Sequence, residues 1–188
     1  RDVVSKVAIF HRESVQLPLS VANLFKETSR SGGSLNAALL AENPDKLAAD
    51  VVKHGDPYRG ELIYRRKQIA CTNCHAIGPV GSPIGPNLIA VGAAASPAYM
   101  VESILKPNAA IAEHYENRLF TLKDGTIQMG VVTFKSEKEI VLRDSAQQGG
   151  KEVRLPVSNI QKEQAMPSLL PAGLADQLNC RQEFLDLS

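Results

Sequence analysis

Residues 69–88 read IACTNCHAIGPVGSPIGPNL, and the reading of this stretch decides the reading of the chain. Cys71, Cys74 and His75 stand in a C-x-x-C-H pattern that uses two of the three cysteines. Behind them, glycines and prolines alternate in a loop able to wrap closely around something. A pattern this short is compatible with three chemistries. The thiols can attach a c-type haem through its two vinyl groups while the adjacent imidazole reaches the iron. The three side chains can contribute to a structural zinc site. The two thiols can also cycle as a redox dithiol.

The surrounding sequence weighs against two of these. Structural zinc takes four ligands, as a rule from paired clusters. The only other cysteine is Cys180, and His11, His54 and His114 form no paired spacing. A thioredoxin-like dithiol is expected after a strand. Here DPYRGELIYRRKQIA (56–70) reads as a charged helix, with Asp56 as its cap, Pro57 in its first turn and a stripe of Tyr58, Leu62 and Ile69. That helix is expected to run straight into Cys71, with Arg65 and Arg66 on its solvated face.

The chain of 188 residues, 44% hydrophobic and 22% charged, has the composition of a soluble globular protein with one domain or two small ones. A formal net charge of +1 gives no general attraction to nucleic acid or acidic lipid. No apolar run approaches the ~20 residues of a membrane helix. Tryptophan is absent and aromatic residues make up 5%, so a large apolar cofactor would help to fill the core. RDVVSKVAIF lacks an initial methionine and the pattern of an export signal, so the chain reads as a processed protein or a fragment.

Three regions follow from periodicity. Residues 1–55 read as a helical segment of stacked pieces, in the manner of the end of a helical-repeat region: one helix opens at Pro18 and runs to about Arg30, ended by SGGS (31–34). The second covers NPDKLAADVVKHG (43–55), capped by Asn43 and closed by Gly55, with Leu47, Val51 and Val52 on one face. Around the motif, SPAYMVESILKP (96–107) is a further capped helix that pairs Met100 with Ile104 and Val101 with Leu105. From about 117 to 160 the period falls to two. RLFTL, IQMGVVTF, IVLRD and KEVRLP read as four short strands, with a hairpin turn at Asp124–Gly125. Beyond 160 the chain returns to loop and helix, with Asn179 and Gln182 as a capping box. The expected fold class is therefore mainly α with a small antiparallel β insert.

In chain order, Gly60 to Tyr64, the C-x-x-C-H motif and GPNL (85–88) resemble class I cytochromes c. A longer series of blocks, RGELIY, CTNCH, GPNL, YMVESILKPNAAI, LKDGT, VLRDSAQQGG and SLLPAGLADQL, covers about residues 56–188. It is similar to the haem-binding domain at the C-terminal end of large proteins of Planctomycetes and Verrucomicrobia. The resemblance implies a cytochrome c-type helical haem domain at 56–188, carrying a β-meander insert at about 117–160 and preceded by the helical segment 1–55. It implies one covalently bound haem c on Cys71 and Cys74, with His75 on the iron and the Pro86 carbonyl accepting the other ring N–H of His75. It also implies a periplasmic or otherwise extracytoplasmic location. The partners it suggests are redox proteins or fused dehydrogenase-type domains.

In this class a methionine usually completes the iron. Met100 and Met129 read as packing residues. Met166 precedes Pro167 in the loop before the last helix, the place class I cytochromes use, and removal of the β insert brings it to a compact-domain separation from His75. The related domains read S-L-M-P-x-G-L where this chain has SLLPAGL (168–174), so Leu170 stands in the methionine position and cannot ligate. His114 is the alternative ligand. The expectation is an electron-transfer domain rather than an enzyme by itself, ligated by His75 and Met166. An open-site or bis-histidine haem domain, for gas sensing or peroxidase-like chemistry, is the alternative.

Overall fold

In a computed structural model, residues 33–145 and 150–188 are described. His11 and the helix expected from Pro18 to Arg30 lie outside them. Residues 34–188 form one compact unit. Within it, helices account for 38% of residues and strands for 24%, and the strands include a five-stranded antiparallel sheet. The mainly α expectation is thereby overturned in favour of a mixed α/β fold. Among the described residues no helix is long and apolar enough to cross a membrane.

Polar residues set most of the helix starts. Ser34 caps α1 (Leu35–Leu40), Asn43 caps α2 (Pro44–His54) and Asp56 caps α3 (Pro57–Tyr64), each accepting a backbone N–H from the first turn. Asn87 and Ser96 do the same for α4 (Leu88–Ala94) and α5 (Pro97–Leu105). Pro44, Pro57 and Pro97 occupy first positions, where no N–H is needed. The last helix, α6 (Arg181–Leu187), is different: Cys180 occupies its cap position without a side-chain bond. Instead Asn179 offers both its backbone N–H and its side-chain Nδ2 to the carboxylate of Glu183, at 2.8 and 2.9 Å. The expected Gln182 partner turns away to the His54 carbonyl and to Asp186.

These helices enclose one core, in which Leu39 and Leu47 of α1 and α2 meet Ile63, Val101, Leu105 and Phe184. The segment 34–55 thus packs in the same unit as the motif. On α3 the buried face is Gly60, Ile63 and Tyr64, while Tyr58 and Leu62 are 74% and 62% exposed. The expected Tyr58–Leu62 stripe is therefore on the wrong side. The reason is the crossing with α6: a Cβ on Gly60 would collide with the Asp186 carbonyl oxygen. Only glycine lets the two backbones come so close, and this fixes which face turns inward.

Two arginines lock that crossing. Arg59 grips the Asp186 carboxylate at 2.6 and 2.8 Å, and Arg66 grips Glu183 at 2.8 Å through both nitrogens. Arg66 is consequently a structural residue and not part of a solvated helix face; Arg65 pairs at the surface with Glu61. Both lie beyond α3, which stops at Tyr64 and does not run into Cys71.

The sheet begins with β3, since a two-stranded hairpin, β1 (Ala76–Ile77) and β2 (Val80–Gly81), precedes it. It comprises β3 (Asn117–Leu122), β4 (Ile127–Lys135), β5 (Glu139–Asp144), β6 (Glu152–Pro156) and β7 (Ile160–Ala165), in the order β6-β5-β4-β3-β7. Strands β6 and β7 lie at opposite edges, yet only a short turn at Val157–Asn159 joins them. The sheet must curl to bring these edges to one corner. Its inner face has a second core of Phe120, Val132, Ile140, Leu142 and Leu155. The fifth strand and this separate core make the β part a full unit where a small four-stranded insert was expected. Strand β7, IQKEQA, reads as loop in the sequence because as an edge strand it is exposed along nearly its whole length.

Burial alone would raise the carboxyls of Glu183 and Asp186. The hydrogen bonds from Arg66 and Asn179 to the first, and from Arg59, Gln182 and the Asp56 N–H to the second, outweigh it and hold both below the usual range. Depressed folded-state values mean that this stabilisation is complete above the unfolded-chain values of about 4 and is lost as pH falls through the folded-state values. Thermal unfolding should therefore be insensitive to these groups above about pH 5 and fall steeply below it. Asp186→Asn should cost about 2 kcal/mol at neutral pH and flatten that acid limb, the usual loss being moderated because Arg59 can regain water. Gly60→Ala should cost about 2 kcal/mol or more, measured by denaturant unfolding.

Candidate functional site

Cys71–Asn73 form a single tight helical turn, entered through Ala70 in the left-handed region at φ 57°. A non-glycine residue there is strained, and the strain sits immediately before the first thiol. The N–H groups of Cys74 and His75 both donate to the Cys71 carbonyl, at 3.1 and 2.9 Å. The two cysteines therefore flank one turn, with His75 directly after it. Both thiols are half-buried and neither is in a disulfide. Burial pushes both up from the ordinary thiol value, with neighbouring Cys74 adding to the effect at Cys71. A redox dithiol needs the opposite shift.

After His75 the β1–β2 hairpin turns the chain back over the motif. Tyr64 Oη, on the buried face of α3, donates to the His75 carbonyl at 2.9 Å. The Ser82 N–H donates to the same carbonyl at 3.4 Å, and the Gly85 N–H to the Cys74 carbonyl at 2.6 Å. Asn87 clasps the hairpin: its Oδ1 accepts from the Gly78 N–H at 3.2 Å and the Ile89 N–H at 3.1 Å, and its Nδ2 donates to the Gly78 carbonyl at 2.7 Å. One side chain thus starts α4 and closes the loop. Sequence reading missed Asn87 in this role, although an asparagine just before the apolar run LIAV is a helix-cap signal.

The loop brings Pro86 to the histidine. His75 Nδ1 lies 2.8 Å from the Pro86 carbonyl oxygen. A carbonyl can only accept, so Nδ1 carries the proton, and in the neutral ring Nε2 keeps its lone pair. Gly85 makes the approach possible: a Cβ there would come 2.8 Å from His75 Cε1 and 2.9 Å from Nδ1. His75 is itself half-buried.

The other expected ligands are placed as follows. Met166 directly follows β7, and its N–H donates to the Asn117 carbonyl at 3.0 Å, so its backbone belongs to the sheet where a free loop was expected. Pro167 is tied to the same strand, its carbonyl accepting from Asn117 Nδ2 at 3.1 Å, while Asn117 Oδ1 is buried without a partner. Leu170 packs against the helical core, as Cys71 does. Met100 and Met129 are half-buried on α5 and β4. His114 sits in a turn at φ 67° with its side chain 65% exposed, 3.8 Å from Glu113. Among the described residues no three His, Cys, Asp or Glu side chains gather as chelating ligands, as a structural zinc would require.

Comparison with protein-family models and with curated proteins finds no match to this chain.

Gly85→Ala should push the His75 ring away from Pro86. The expected outcome is loss of the Nδ1-protonated signature in the ¹⁵N spectrum of His75. Asn87→Ala should leave that tautomer in place yet cost about 2 kcal/mol in denaturant unfolding, from the lost cap and the lost clasp.

Proposed function

We propose that residues 34–188 form a single-haem c-type cytochrome domain that carries electrons between redox partners outside the bacterial cytoplasm. The observation that carries this reading is the contact between His75 and Pro86. A histidine placed directly after the C-x-x-C thiols has Nδ1 engaged by a carbonyl, which in the neutral ring leaves the Nε2 lone pair for a metal, as an axial ligand needs. The resemblance to class I cytochromes c, and to the haem-binding domain of Planctomycetes and Verrucomicrobia, supports the same assignment.

The residues present fit the group. Cys71 and Cys74 flank one turn and are unlinked, so both sulfurs are available for thioether bonds. The Gly85 cradle leaves room for the imidazole ring, and the raised thiol values disfavour a competing dithiol chemistry. When bound, haem supplies a one-electron iron couple whose potential depends on its axial ligands and surroundings. In this division of labour Cys71 and Cys74 hold the cofactor and His75 ligates. Pro86 orients the imidazole and raises its basicity. Tyr64 fixes the His75 backbone from α3.

Met166 is the proposed sixth ligand. Two observations favour a second reading, an iron with no second protein ligand, suited to gas binding or peroxidase-like chemistry. Leu170, which stands where the related domains carry methionine, is packed against the helical core, and Met166 is bonded into the sheet through its backbone.

Expression with cytochrome maturation machinery should give an intact mass one haem above the polypeptide. Cys71→Ala/Cys74→Ala should remove the increment. An unmodified mass in the unaltered protein would overturn the assignment. Reduced protein that is slow to bind carbon monoxide, with a methionine–iron charge-transfer band lost in Met166→Ala, supports Met166. Immediate binding of carbon monoxide supports the open site.

A further inference from the structure

The segment Ser82–Pro86 carries the carbonyl that orients His75, yet it has little with which to hold itself. Pro83 and Pro86 have no N–H to give. The Ser82 and Gly85 N–H groups go back to His75 and Cys74, and the Ile84 N–H goes to Ser82 Oγ within the segment at 3.4 Å. Asn87 ties the end of the segment beyond Pro86, and the hold on Pro83 and Ile84 comes from the sheet. Arg143 of β5 donates from Nη1 to the Pro83 carbonyl at 2.6 Å. Ile84, 6% exposed, lies against Gly150 between β5 and β6, where an added Cβ would come 3.0 Å from Ile84 Cγ1. Arg143 is itself fixed by pairing on both sides, opposite Val131 of β4 and Glu152 of β6. A planar guanidinium on an interior strand is a rigid donor for a carbonyl with no other hydrogen-bond partner among the described residues.

We propose that Arg143 is a positioning residue for His75: by pinning the Pro83 carbonyl it sets where the Pro86 carbonyl stands, and so lets the sheet govern the Nδ1–H bond. This rests on the haem reading only for its redox consequence. A firm Nδ1–H bond makes the imidazole a stronger donor and favours oxidised iron. A loosened loop weakens that bond and shifts the balance toward the reduced form. A merely incidental surface contact would leave His75 unaffected.

The test uses the full chain, expressed with maturation machinery, as the unaltered protein and as Arg143→Met, Arg143→Gln and Arg143→Lys. Lys135→Gln serves as control, because Lys135 is on the same sheet and bonds Glu163. Hydrogen exchange at the Gly85 amide and the ¹⁵N shifts of the His75 ring are read first. Exchange about tenfold faster in Arg143→Met is expected, with Arg143→Lys and the control close to the unaltered protein. In the haem-loaded protein, the reduced-to-oxidised ratio at fixed ambient potential should rise about threefold in Arg143→Met. Unchanged Gly85 exchange and His75 shifts in that variant, or equal changes in the control, would overturn the proposal. If Arg143→Met does not fold, Arg143→Gln against Arg143→Lys decides on the same readouts. A chain that takes up no haem removes the cytochrome reading alone, and the exchange comparison on that haem-free chain still decides the role of Arg143.

Discussion

Where α3 crosses α6 the two backbones touch, with no space for a methyl group between Gly60 and the Asp186 carbonyl. That contact decides which face of α3 is buried. It brings Arg59 to Asp186 and, past the end of the helix, Arg66 to Glu183. The same face of α3 carries Tyr64, whose hydroxyl holds the His75 carbonyl. A glycine in one helix thus positions the histidine eleven residues after Tyr64, through one crossing and one phenol. Charges at the crossing are tolerated because each carboxylate is gripped by two guanidinium nitrogens and by further N–H donors from neighbouring chain.

The two halves of the unit have separate cores, and the sheet reaches the loops of the helical half through Arg143, Asn117 and the packing of Gly150 on Ile84. Paired residues share a face, so Asn117, Val131 and Arg143 stand in one row on the side of the sheet away from its core. Met166 extends this row one step beyond the Arg118–Ala165 pair. Arg143 reaches the loop that carries Pro86, and Asn117 reaches the loop that begins at Met166. One sheet therefore bonds both to the loop that carries Pro86 and to the loop that begins at Met166.

Much of this was legible in the sequence, and the misses have physical causes. Asn43, Asp56 and Ser96 could be read as caps because capping is local: the side chain and the N–H it satisfies are two or three residues apart. The C-x-x-C-H turn and the Asp124–Gly125 hairpin are local in the same way. The sequence points to the wrong face of α3 because Tyr58 and Leu62 are the larger apolar residues, whereas the crossing selects the smallest residue, Gly60. Strand β7 gives no strand pattern because IQKEQA has no buried face to alternate. Arg66 and Arg143 were invisible as structural residues, since their partners lie more than fifty residues away in the chain. Even so, the relation of Pro86 to His75, taken from resemblance, corresponds to a 2.8 Å contact in the structure.

The chain enters the sheet at Asn117 and leaves it at Ala165, and these ends lie side by side because Arg118 pairs with Ala165. Opposed residues on antiparallel strands are only about 5 Å apart. To the helices, the whole β unit is thus no more than a short surface loop with a large payload. Such an element can be lengthened, exchanged or lost without moving the helices on either side. Arg143 and Asn117 are footholds that any replacement of the sheet would have to rebuild.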